Sequence, residues 1–116
     1  LFIIGSLCRI GLLFYRNDGI GNFFQCPGRL TEYMWMGLTI LMSDFPSFLL
    51  LEKTIPYGVT CNSESSDAIA EKIERFVEDP FYNESSVKLS TKNYVSKNLS
   101  YEKAAHNIYK KIGILQ

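Results

Sequence analysis

Two short, nearly unbroken apolar runs set the main constraint on this chain: IGLLF over residues 10–14 and LTILM over residues 38–42. Neither alternates polar with apolar residues, and turn formers bound both, as expected for strands buried on two faces. Such strands belong to parallel sheets with helices on both sides. A membrane is the rival explanation. However, the apolar stretch 1–14 holds Arg9 and is shorter than the ~20 residues a bilayer requires. The stretch 34–51 holds Gly37, Asp44 and Pro46, and an Asp near the middle of a span costs roughly 2.5–3.5 kcal/mol. Buried sheet strands are therefore the reading taken for both runs.

The segments between them fit that reading. Residues 15–27 carry Asn17, Asp18, Gly19, Gly21, Asn22 and Pro27 and read as a loop long enough to be functional. Residues 29–36 lack breakers and read as a helix, with Gly37 as its C-cap. A turn at Ser43-Asp44-Phe45-Pro46 precedes a short helix over 47–53, and GVTC at 58–61 reads as a third strand. Residues 1–7 are ambiguous between strand and helix.

A composition break falls near Asn62. Beyond it the chain is charged and amphipathic, with no Gly until Gly113. Ser65 or Ser66 is placed to cap a helix with the apolar stripe Ile69, Ile73, Phe76 and Val77, which Pro80 stops. Residues 85–97 read as a helix whose weak apolar side is Val87, Tyr94 and Val95. Ser100 caps a last helix with the stripe Tyr101, Ala104, Ala105, Ile108, Tyr109 and Ile112. That stripe is expected to cover the sheet. The same expectation sets aside an interfacial membrane helix, although Lys103, Lys110 and Lys111 lie on this segment. Strands alternating with helices give an α/β class with a partial Rossmann-like parallel sheet and C-terminal helices packed on it.

A chain of 116 residues suits one domain, and 12 basic against 12 acidic residues leave it neutral. The apolar share of 47% excludes whole-chain disorder, and the missing basic surplus argues against nucleic acid as a partner. Cys8, Cys26 and Cys61 are far apart and His106 is the only histidine, so no metal site is expected and the cysteines read as reduced thiols. Asn83-Glu84-Ser85 and Asn98-Leu99-Ser100 match glycosylation sequons, tripeptides short enough to arise by chance. His106, Trp35 and Met36 read as structural, the last two as core. The chain begins with Leu1 and not Met, so it is expected to be a piece of something longer.

Ligands of open α/β sheets bind outside the carboxyl ends of strands. The loop after the first strand runs there into Gly28-Arg29-Leu30-Thr31-Glu32 at a helix start. A helix start offers free N–H groups and partial positive charge, and Gly28 permits close approach of a ligand. Arg29 suits a pair of phosphate oxygens. Glu32 stands one turn later on the same side, as a carboxylate suited to hydroxyls. The competing reading is a surface Arg29–Glu32 ion pair. Tyr15 and Arg16, just past a strand end, are further donor-side candidates, with a solvated loop as their alternative. No catalytic residue is assigned.

Residues 27–40, PGRLTEYMWMGLTI, resemble the signature P-N-K-L-x-E-Y-M-A-x-G-L-P-V of retaining nucleotide-sugar glycosyltransferases of the two-Rossmann (GT-B) architecture, group 1. The likeness extends through Ser43-Asp44-Phe45-Pro46, Tyr57-Gly58-Val59, the helix closing on Asp79-Pro80, and Ser100-Tyr101-Glu102. Departures are Gly28 for Asn, Thr39 for Pro, Cys8-Arg9 for Ala-Asp, and Phe24 where many members carry a second Glu.

The resemblance implies that Glu32 binds the donor ribose, that Arg29 lies by the diphosphate, and that backbone at Gly28, Leu30 and Thr31 holds phosphate. It implies a nucleoside diphosphate sugar (UDP, GDP or ADP type) as donor and no required cofactor. It also implies a glycan or lipid-linked acceptor bound by an N-terminal domain outside this chain, and a setting in polysaccharide biosynthesis. Residues 1–62 would form the strand, loop and helix core with the donor site, and 63–116 a helical tail. The expected location is cytoplasmic, with peripheral membrane association at the inner face. The chain alone is expected to bind donor weakly and turn nothing over. The alternative is a non-catalytic α/β interaction module or an inactive truncated fragment.

Overall fold

Among the described residues three parallel strands, β1 (Ile10–Leu13), β2 (Thr39–Ser43) and β3 (Gly58–Cys61), form one sheet in the order β1-β2-β3. The computed structural model describes residues 7–23, 28–82, 85–98 and 101–113. Residues 1–6 of the ambiguous stretch 1–7, Phe24, Cys26, Pro27, the sequon residues Asn83, Glu84, Leu99 and Ser100, and with Ser100 the proposed cap, lie outside the described residues.

The register pairs Leu12 with Leu41 and Leu41 with Val59, so β2 is central and all five of its residues are buried. Side chains alternate between the two faces of a strand. Ile40 and Met42 thus point to one face with Leu13, and Leu41 to the other with Cys61. The first face is thickly covered. Helix α2 (Gly28–Met36) brings Leu30 and Met34, α3 (Pro46–Thr54) brings Phe48, and α5 (Ser85–Asn98) brings Val95. The second face is covered by α4 (Ser66–Glu78) through Ile69, Ile73 and Phe76. This is an α/β architecture with helices on a parallel sheet.

The sequence-derived elements stand close to their expected bounds, with local chemistry that accounts for them. Helix α2 ends at Gly37, which has φ of 74°; the Gly37 N–H donates to the Met34 carbonyl and the Leu38 N–H to the Tyr33 carbonyl. That pattern is a Schellman cap, which needs a residue at ease in the left-handed region. Ser65 caps α4 by accepting the Ala68 N–H at 3.2 Å. Glu52 of α3 accepts the Thr60 N–H at 3.2 Å and the Thr60 hydroxyl at 2.7 Å, which shields part of the outer edge of β3. Inside the expected loop 15–27, one helical turn, α1 (Ile20–Phe23), forms. A 3₁₀ turn at Pro80–Tyr82 follows α4.

Four expectations are corrected. Strand β1 is not fully covered on both faces: Leu12 is 42% exposed, although Ile10 and Phe14 on either side of it pack against the Leu41–Phe76 cluster. Trp35 faces solvent, since α2 already turns Leu30, Met34 and Met36 inward. Val77, at the edge of its helix stripe, is exposed where Phe76 is buried. The last helix, α6 (Tyr101–Lys111), does not cover the sheet with its stripe: Ala104, Ile108, Tyr109 and Ile112 are all exposed.

Candidate functional site

All three strands end on the same edge, at Leu13, Ser43 and Cys61. A backbone and hydroxyl chain ties that edge together. The Tyr15 N–H donates to Ser43 Oγ at 3.0 Å, and the Ser43 hydroxyl donates to Ser63 Oγ at 2.8 Å. Ser43 is fully buried, so the segments after β1 and β3 are fixed to the end of β2 through one interior hydroxyl. Neither Ser43, which accepts a backbone N–H, nor Ser63, which accepts the Ser43 hydroxyl, stands out in the sequence for this role. The available signal was a hydroxyl at the end of an otherwise apolar strand.

Three helices start on this edge. Each of α2 and α3 returns its chain to the amino end of the next strand, so each begins at the carboxyl edge; α4 follows β3 through the Asn62–Ser65 turn. Of these starts, the one at α2 carries the candidate residues. The N–H groups of its first turn, at Gly28, Arg29 and Leu30, have no acceptor within the helix. The Leu30 side chain is buried in the core and anchors this turn, while Thr31 is half-buried. Among the described residues, no atom lies within 4 Å of where a Gly28 Cβ would stand. Among the described residues, then, nothing crowds that side of the first turn.

Arg29 and Glu32 are both exposed. Among the described residues no ion pair joins them, so the surface-pair reading of this spacing has no support. Guanidinium and carboxylate stand three positions apart on the first two turns, on the same side of the helix.

The other two candidates sit differently. Tyr15 lies on the carboxyl edge, but its ring stacks on Phe48 at 5.9 Å and belongs to the core cluster. What it presents to the edge is backbone. Arg16 is exposed and its carbonyl accepts the Asn22 side-chain amide at 3.0 Å; the same amide donates to Asp18 at 2.6 Å. These bonds hold the α1 turn against the start of the loop and leave the Arg16 side chain facing outward.

The edge also carries carboxylates at Asp44 and Glu64, both exposed. Behind them the Cys61 thiol is pushed above its ordinary pKa, chiefly by burial and then by Asp44, with Lys72 opposing. A thiol held protonated is a poor nucleophile, and Cys61 acts as a small apolar core group. His106 is exposed on α6. Among the described residues no cluster of His, Cys, Asp and Glu is arranged to hold a metal ion, and no helix is long and apolar enough to cross a membrane. No family model, curated protein or solved structure matches this chain.

Proposed function

We propose that this chain is the donor-binding part of a retaining nucleotide-sugar glycosyltransferase of GT-B type, holding a nucleoside diphosphate sugar at the carboxyl edge of the sheet. One observation carries the reading. Among the described residues nothing lies near the first turn of α2 around Gly28, and Arg29 and Glu32 are both exposed and not paired with each other. Its three free N–H groups and the positive helix end face where a diphosphate would lie. Arg29 adds a guanidinium fork for the same oxygens, and Glu32 offers its carboxylate to the ribose hydroxyls. The positive groups would stabilise the charge that grows on the leaving diphosphate as the sugar transfers to a glycan or lipid-linked acceptor. Acceptor binding and the remaining catalytic groups are assigned to protein outside this chain.

Calorimetric titration with UDP, GDP, ADP and the matching nucleosides tests the reading. Arg29→Ala is expected to weaken diphosphate binding by about 1–3 kcal/mol and nucleoside binding much less, with Arg29→Lys intermediate. Glu32→Ala is expected to weaken binding of both classes by a similar amount, because the ribose is common to them. Neither change should cost more than about 0.5 kcal/mol of stability, since both side chains are exposed. Diphosphate affinity that survives Arg29→Ala and Glu32→Ala together would refute the site.

A further inference from the structure

We propose that α6 is a docking helix for an anionic lipid surface. Two independent observations support this. First, α6 keeps a clean apolar stripe that the fold leaves in solvent: Ile108 is 57% exposed, Tyr109 47% and Ile112 62%. Second, charge is segregated along the chain. Residues 85–116 hold six lysines against Glu102 alone, a net charge of +5, and because the whole chain is neutral the remainder carries −5. The exposed apolar face therefore belongs to the basic part of the molecule. The groove beside α4, where Glu71, Glu74, Glu78 and Asp79 outnumber Arg75, belongs to the other part.

The arrangement on α6 follows the interfacial pattern. Positions 104, 105, 108 and 112 repeat at spacings of three and four and share one side, with Tyr109 beside them at the border. Lys103 and Lys110, seven residues apart, share the opposite side, and Lys111 flanks the stripe. In a membrane interface the isoleucines would enter the acyl boundary, the tyrosine would sit at headgroup level, and the lysine stems would reach back to phosphates. Lys92 and Lys97 are exposed on α5, the preceding helix of the chain. A purely apolar partner would make no use of these lysines, whereas a negatively charged surface uses both halves of the helix. The inference does not depend on the donor site at the carboxyl edge.

Sedimentation of the full chain with vesicles tests it, using phosphatidylcholine alone and equal parts of phosphatidylcholine and phosphatidylglycerol. Each lysine near an anionic surface is worth about a fivefold gain, so the partition onto the anionic vesicles should be at least about tenfold the higher, and high salt should remove the surplus. Ile108→Asp should abolish binding to both while leaving the circular dichroism and the melting temperature unchanged. The double variant Lys110→Gln and Lys111→Gln should reduce binding to the anionic vesicles alone, and it keeps the test valid should the first variant melt early. Equal partition onto both vesicles, no partition onto either, or full binding by Ile108→Asp overturns the proposal. So does a dimer in lipid-free solution that Ile108→Asp dissolves, because a second copy would then be what covers the stripe.

Discussion

Helices α5 and α6 follow one another in the chain, and their sequences rank them in the wrong order. Helix α5 carries a faint apolar side, and α6 a clear one. Yet α5 buries Val87, Thr91 and Val95, each at 3% exposure or less, whereas α6 leaves its isoleucines in water. The difference lies in what stands opposite. Helix α5 meets α2, and its Lys88 backbone comes within 3.0 Å of where a Cβ on Gly37 would sit. A glycine at the end of α2 thus caps one helix and admits another. Thr91 can enter that contact because its hydroxyl donates to the Val87 carbonyl at 2.9 Å, which satisfies a buried polar group locally. An apolar stripe states what a helix can bury; the neighbouring element decides whether it does.

The same substitution in both helices breaks the comparison most sharply. Val95→Asp places an unpaired carboxylate in a fully buried position and is expected to cost about 3 kcal/mol or more, read by urea denaturation. Gly37→Ala comes next. The left-handed backbone and the crowding by Lys88 together should cost about 2 kcal/mol, with α5 losing amide protection in hydrogen exchange before the sheet does. Ser43→Ala strips the Tyr15 N–H of its acceptor and should cost about 1–2 kcal/mol. It should also loosen the loop after β1 and lower nucleotide affinity, which separates the carboxyl edge from the packing of α5. Gly28→Ala stands at a helix start where no described atom lies near the new methyl group. It should leave stability unchanged or raise it by about 0.4–1 kcal/mol, while a methyl group in the phosphate path lowers diphosphate affinity. The smallest effect is expected for Ile108→Asp, within about 0.5 kcal/mol of the parent by denaturation. A large loss there would show that α6 is held by the fold after all and would remove the contrast with α5.

Much of the frame was legible in the residues. The runs at 10–14 and 38–42 are strands because near-continuous apolar sequence of that length suits a sheet interior better than a bilayer. Gly37, Ser65 and Pro80 stand at or just beyond helix ends for reasons of local chemistry: a left-handed cap, a hydroxyl that accepts an orphan N–H, and a ring that cannot continue a helix. The candidate residues Gly28, Arg29 and Glu32 were legible as a helix start with charge. The network behind them was not, because the bond from the Tyr15 N–H to Ser43 joins residues 28 positions apart and that from Ser43 to Ser63 spans 20. No spacing rule pairs such positions. Trp35 and Leu12 failed for the opposite reason, since hydrophobicity alone was taken to mean burial.

What the sequence determined by itself is the set of elements and the alternation that makes the sheet parallel, because propensity, capping and period act over a few residues. What only the tertiary structure decided is which apolar faces found partners. The face of the sheet with Ile40 and Met42 received three helices, the face with Leu41 one, and the stripe of α6 remains largely in solvent. Burial is a property of two surfaces meeting, and only one of those surfaces is written in any local stretch of chain.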